Sequence, residues 1–176
     1  VRGTGTSEIT FNDTWTEREM EIGGWEVIRH GLTVGRLAIA GISVGLALAA
    51  FDEAWKWSGD RVAFGSKIRD HQAVMWQIVD SSTEIVSADL LSSKAAEKFF
   101  EPEGEYLVPM AKLYASTVAN RVADRSLQVM GGMGYAKGSK VERIYRDARL
   151  MRIGEGTDEA ERMIIGKRLE KIGIIL

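Results

Sequence analysis

Near the carboxy-terminal end the chain reads IGEGTDEAERMIIGKRL, Ile153 to Leu169, and places a carboxylate, Glu155, between Gly154 and Gly156 just ahead of a helix start. A hydroxyl or an amide is the ordinary residue there, because it caps the first free backbone N–H groups. Asp158, Glu159 and Glu161 follow closely, and the positive end of a helix favours such acids. Helix electrostatics therefore accounts for the acids but not for the flanking glycines. Small neighbours let a ligand approach a carboxylate closely, which is what a general base needs.

Two further clusters carry recognition chemistry. In RVAFG, Arg61 offers a planar fork of donors that can hold two oxygens of a diphosphate at once, Phe64 offers a ring, and Gly65 permits an unusual turn. In LQVMGGMGY, the amide of Gln128 precedes Gly131 and Gly132, where a partner can come close to the backbone; a plain helix stop at a left-handed glycine is the other reading. VERIYRDAR, Val141 to Arg149, reads as structural, with Arg146 and Asp147 as a local ion pair. The chain has no cysteine, so disulfides, thiolate nucleophiles and thiolate metal sites are excluded. Its two histidines lack the Glu-x-x-His pattern of di-iron bundles, since Val27 and Ile68 stand three residues before His30 and His71.

Five helical stretches must position these groups. Apolar spacing predicts a helix from about Trp25 to Trp57, with Leu32, Leu37, Ile39, Ile42, Leu46 and Ala50 near one face, and a second from Ser66 to Phe100, ended by Pro102 and Gly104. A third runs from about Glu105 through Leu127 to the glycine cluster at Gly131 to Gly134, a short one from about Val141 to Arg152, and a last one from Asp158 to Ile172. Residues 1–25 differ: Ile9 and Phe11 alternate with polar neighbours, as in a strand, before Gly23 and Gly24 break the chain. A lone strand leaves its backbone unpaired, so sheet partners are expected outside this sequence. The fold expected is all-α: an antiparallel four-helix bundle over residues 26–176, with additional short C-terminal helices, preceded by a remnant β-strand and linker in 1–25.

With 23 basic and 25 acidic residues the formal charge is −2, which gives no field to recruit nucleic acid. The least polar window, Leu37 to Phe51, has 15 residues, short of the roughly 20 that span a bilayer. It reads as a tightly packed core helix.

Taken in order and spacing, RVAFGSKIRDHQ, LQVMGGMGY, VERIYRDAR and IGEGTDEAERMIIGKRL resemble the carboxy-terminal part of the acyl-CoA dehydrogenase family of flavoenzymes. The resemblance covers essentially the whole chain. It implies that residues 1–25 are the tail of the family's middle β-domain, and that FAD is the cofactor, contacted across a dimer interface by Arg61, Phe64 and Gln72 and by Gln128, Gly131 and Gly132. It assigns Thr157 and Glu159 to the flavin as well, and makes Glu155 the base that removes the α-proton of an acyl-CoA, with Gly156 beside the thioester and Arg36 near the substrate. Some members carry the base at the position matching Gly35; having no side chain there, this sequence leaves Glu155 as the candidate. The resemblance further implies an electron-transfer flavoprotein as acceptor, a homo-oligomer built as a dimer of dimers, and a place in the prokaryotic cytoplasm or the mitochondrial matrix. A flavin oxidase or monooxygenase of the same fold, and an inactive oligomerising bundle with an incomplete flavin site, are the competing readings.

Overall fold

The computed structural model describes residues 1, 4–18 and 21–173. Helix α1 (Trp25–Asp60) leads into a two-stranded antiparallel hairpin, β1 (Val62–Ala63) and β2 (Ser66–Lys67), then a 3₁₀ turn, Ile68–Asp70, and helix α2 (Gln72–Glu97). Helix α3 (Gly104–Met130), the single turn α4 (Gly132–Tyr135), α5 (Lys140–Met151) and α6 (Asp158–Ile172) follow.

The all-α bundle expected from the sequence is present, with three long helices and the shorter α5 in the fourth position. Its core is made mostly of small residues. Ala40, Val44, Ala47 and Ala50 of α1 meet Val108, Ala111, Ala115, Val118, Ala119, Val122 and Ala123 of α3, with Ile85, Ala88 and Ala95 of α2 and Ile144 and Ala148 of α5 closing the cluster. Alanine rows let helix backbones approach closely, and burying them costs no side-chain entropy. Helix α1 is long and apolar enough to cross a bilayer by length and composition alone, and this row is instead packed inside the protein.

The small-residue core corrects one sequence expectation. Ile42, assigned to the inner face of α1, is 51% exposed, and the buried face is the row Ala40, Ser43, Val44, Ala47, Ala50, Ala54 and Ser58. Size rather than hydropathy selects the face, because only small side chains fit the α1–α3 seam. A second correction concerns the start of α2, which lies at Gln72 rather than Ser66. Residues 62–67 form the hairpin instead, with Phe64 and Gly65 at its tip both in left-handed backbone (φ 52° and 83°), the pair of conformations a two-residue hairpin turn requires. The strand expected around Ile9 and Phe11 does not pair: residues 5–11 carry no regular structure and the two side chains are exposed. The sheet among the described residues contains β1 and β2 alone, and this segment does not join it.

Helix α5 is tied to α3 by Asn120, whose amide donates to the Ser116 and Ala148 carbonyls at 2.8 and 2.7 Å. Arg121 and Arg125 of α3 share Glu84 of α2, and Arg168 of α6 pairs with Glu105 of α3.

Candidate active site

Two groups of candidate residues lie at opposite ends of the bundle. Glu155 follows α5 in a turn that folds back against the first third of α1, where a Cβ added at Gly35 would stand 2.4 Å from its Oε2. Arg61 ends α1, 26 residues beyond Gly35, about 39 Å away along a helix at 1.5 Å per residue. Lys112 of α3 lies beside the Glu155 turn, and Val129 of the same helix packs with Ala54 of α1, so α1 and α3 run parallel. Arg61, Phe64, Gln72, Gln128, Gly131 and Gly132 therefore share the hairpin end. Glu155, Gly156, Thr157, Glu159 and Arg36 share the other.

At the Glu155 end the question raised by the flanking glycines is answered by backbone. Glu155 has φ 57° and Gly156 φ 130°, conformations that side chains disfavour and that concentrate at functional sites. The cap is Thr157, whose hydroxyl accepts from the Ala160 N–H at 3.3 Å. Hydrogen bonds from the Glu159 backbone N–H and the Thr157 hydroxyl hold the Glu159 carboxyl below the usual carboxylate range. The Glu155 side chain is exposed, and its backbone N–H donates to no backbone acceptor among the described residues.

Beneath this turn lies a charged layer that sequence reasoning did not single out. Glu161, with no exposed surface, accepts from Arg36 Nε at 2.8 Å. Asp158, nearly as buried, accepts from Arg152 Nε at 2.7 Å. Lys112 is also fully buried and donates to the Gly156 carbonyl. Burial pushes the Glu161 carboxyl up from its ordinary value, with Arg36 opposing, and pushes the Lys112 ammonium down, with Glu161 and Asp158 opposing. One oxygen of each acid, Asp158 Oδ1 and Glu161 Oε2, is buried without a hydrogen-bond partner among the described residues. A signal for Lys112 was available in helix period, since it falls between the buried positions Val108 and Ala115.

The layer changes the account of two candidates. Arg36 is not a free helix-surface cation, because its guanidinium is held by Glu161 and mostly covered. Gly156 is required by packing: a Cβ there would stand 2.1 Å from Glu161 Oε1. Gly154 is not so constrained, the nearest atom to its added Cβ being the Leu150 carbonyl at 3.7 Å. Arg146, expected beside Asp147, pairs with Glu142 one turn earlier, at 2.5 Å.

At the hairpin end the candidates are displayed rather than enclosed. Phe64 is 96% exposed, with its ring edge-on to His71, and His71 Nε2 is 3.0 Å from the Ala63 carbonyl, which braces the hairpin. Among the described residues Arg61 has no ion-pair partner, and Gln72 and Gln128 are exposed. A Cβ on Gly131 or Gly132 would meet nothing within 4 Å. An unspent guanidinium, an open ring, two free amides and bare backbone suit the diphosphate and aromatic parts of FAD as a contact face. They do not form a closed pocket, so the fit is that of one wall of a site. Two open clefts flank α5, about 630 and 1080 Å³ in volume, and Glu155 lines neither.

An all-helical domain that presents a carboxylate at one end and an aromatic and amide face at the other is the class these features define. Residues 23–170 match the family model described as "Acyl-CoA dehydrogenase, C-terminal domain", and the chain belongs to the acyl-CoA dehydrogenase family. It is 38% identical over 174 residues to the caffeyl-CoA reductase-Etf complex subunit CarC of Acetobacterium woodii, covering 96% of this chain and 46% of that protein. It is 34% identical over 180 residues to the mitochondrial short-chain specific acyl-CoA dehydrogenase of Bos taurus, covering 97% and 43%. Among solved structures, butyryl-CoA dehydrogenase from Megasphaera elsdenii superimposes with a TM-score of 0.79 at 34% identity, over 84% of this chain and 39% of that one. The chain thus spans less than half the length of the relatives it matches.

Proposed function

We propose that this chain is the carboxy-terminal catalytic domain of an FAD-dependent acyl-CoA dehydrogenase, with Glu155 as the base for α,β-desaturation of an acyl-CoA thioester. The observation that carries the reading is Glu155 itself, an exposed carboxylate on a left-handed turn, reaching over the bare α-carbon of Gly35. Residues 1–25 are then the tail of a β-domain and a linker, and 26–176 the helical domain.

In this reading Glu155 takes the proton from the α-carbon of the thioester, and with departure of a hydride from the β-carbon the product is a trans-2-enoyl-CoA. Its own backbone N–H, without a backbone acceptor among the described residues, is free to donate to the thioester oxygen where negative charge develops, the kind of donor whose removal costs about a hundredfold or more in rate. Gly156 leaves the turn open beside the thioester, and Arg36 keeps a cation near it. When bound, FAD supplies the two-electron chemistry, taking the β-hydride at N5. Arg61, Phe64, Gln72, Gln128, Gly131 and Gly132 hold a cofactor shared with a second subunit, and Thr157 and Glu159 lie toward the flavin at the Glu155 end. The separation of the two groups by about 39 Å along α1 supports a homo-oligomer in which each flavin touches two chains.

Electron-transfer flavoprotein is the proposed acceptor, a reading supported by the Etf complex in the name of the Acetobacterium woodii relative. The test is anaerobic mixing of the full-length protein that carries this domain with acyl-CoA substrates, following loss of the oxidised flavin absorbance. Glu155→Gln should abolish bleaching, and retained bleaching would remove Glu155 as the base.

A further inference from the structure

We infer that Lys112 is a positioning residue for Glu155, acting through the Gly156 carbonyl, an inference that rests on the proposed role of Glu155 as base. Lys112 stands in the α3 row that faces α1, between Val108 and Ala115, and has no exposed surface. A buried ammonium is costly unless it is hydrogen-bonded and charge-compensated, and every other buried position of α3 is uncharged, most of them alanine or valine. Among the described residues its one hydrogen bond is to the Gly156 carbonyl. Among the described residues no other side chain of the long helices donates to the loop that holds Glu155.

That carbonyl belongs to the glycine directly after Glu155, whose own φ of 57° is uncommon for a residue with a side chain. Glu155 and Gly156 are consecutive residues at positive φ, 57° and 130°, and such backbone persists only when its surroundings over-determine it. Gly156 is held from two sides. Lys112 takes its carbonyl, and the Glu161 carboxylate fills the space where a Cβ would be, 2.1 Å from that position. Glu161 is itself fixed by Arg36. Burial pushes the Lys112 ammonium down; Glu161 and Asp158 on α6 and Glu155 on the turn oppose that shift, while Arg36 on α1 adds to it. The clamp therefore joins α1, α3 and α6 at one glycine, and the residue it holds next to that glycine is Glu155.

Lys112→Met keeps the length and burial of the side chain but removes the donor. In the full-length protein, hydrogen exchange of the segment 152–161 should speed up by about tenfold or more, with α1 and α3 core protection unchanged. Turnover should fall by about tenfold or more, with KM for the thioester within about threefold, the split expected when only the reacting geometry is lost. Lys112→Gln, shorter but still a donor, should lie between. Wild-type exchange in 152–161 in the Met variant would overturn the inference. So would loss of protection throughout α1 and α3 in both variants, which would make Lys112 a residue of the whole bundle. Failure of the base assignment reads differently: Glu155→Gln would then turn over normally while the exchange effect of Lys112→Met persisted.

Discussion

Gly35 and Glu155 occupy one volume: a methyl group on the α-carbon of Gly35 would stand 2.4 Å from Glu155 Oε2 and 2.6 Å from Cδ. The obstructing atoms are the free end of an exposed side chain, which can swing aside at little cost. Gly35→Ala should therefore leave the fold intact and even stabilise it by about 0.5–1 kcal/mol, the gain from replacing a glycine inside a helix. The displaced carboxylate should cost at least about tenfold in turnover, since misplacing a reacting group by about 1 Å has effects of that order and larger. Thermal unfolding and steady-state turnover on the same preparation check both halves; an unchanged rate would mean that Glu155 does not work from this position.

Gly156→Ala should behave in the opposite way. Here the obstructing atom is Glu161 Oε1, on a side chain with no exposed surface and fixed by Arg36. Strain at φ 130° costs about 1–3 kcal/mol, and overpacking against a fixed neighbour adds about the same again. A destabilisation of at least about 2 kcal/mol is expected in denaturant unfolding. A variant as stable as the parent would show that the turn has room this geometry denies.

Glu161 gives a pH-dependent prediction with a definite sign. Burial raises its folded-state value above the ordinary 4.5, so between the two values the folded protein binds more protons than the unfolded chain. Stability then falls as pH rises through that window. Glu161→Gln keeps an acceptor for Arg36 Nε and carries no charge, so it should flatten this fall when unfolding is followed across the weakly acidic range. Glu161→Ala should be far worse, by about 3–5 kcal/mol, because it leaves the covered Arg36 guanidinium without its partner. Equal stability of the Gln and Ala variants would show that Arg36 finds another acceptor.

The helices and their order were legible because each long one carries a helical period and glycine or proline breaks separate them, as at Pro102 before α3 and Gly131 after it. The inner face of α1 was not, since its core residues are alanines and serines whose hydropathy barely differs from that of the outer face. What mattered there was volume, which only the partner helix reveals. Glu155 stood out from residue type and glycine spacing, whereas Thr157 entered only through the family resemblance; the positive φ at Glu155 and Gly156 fits the glycine spacing. Lys112 and Glu161 stayed hidden because each reads as a surface charge on a helix; their burial follows from where α3, α6 and the turn meet, 44 residues apart for the Lys112 contact. The hairpin was missed for a related reason, as Phe64 is a β-branch-free, bulky residue in left-handed backbone, a conformation that residue type argues against.

Phe64 supplies the last prediction. Its ring is 96% exposed at the hairpin tip, so it contributes almost nothing to packing within the chain, and its edge contact with His71 is replaceable because His71 also holds the Ala63 carbonyl. Phe64→Ala should leave the unfolding of this domain within about 0.5 kcal/mol of the parent, as surface substitutions usually do. A large exposed ring on a rigid turn is nonetheless well suited to a partner surface, where aromatic anchors commonly cost 1 kcal/mol or more, about fivefold in affinity, when truncated. In the full-length protein the variant should therefore retain less FAD after gel filtration and dissociate at higher concentration than the parent in sedimentation, with no loss of helix content. Full cofactor retention and unchanged assembly would place the ring outside both contacts and leave the cofactor to Arg61, Gln72, Gln128 and the two glycines alone.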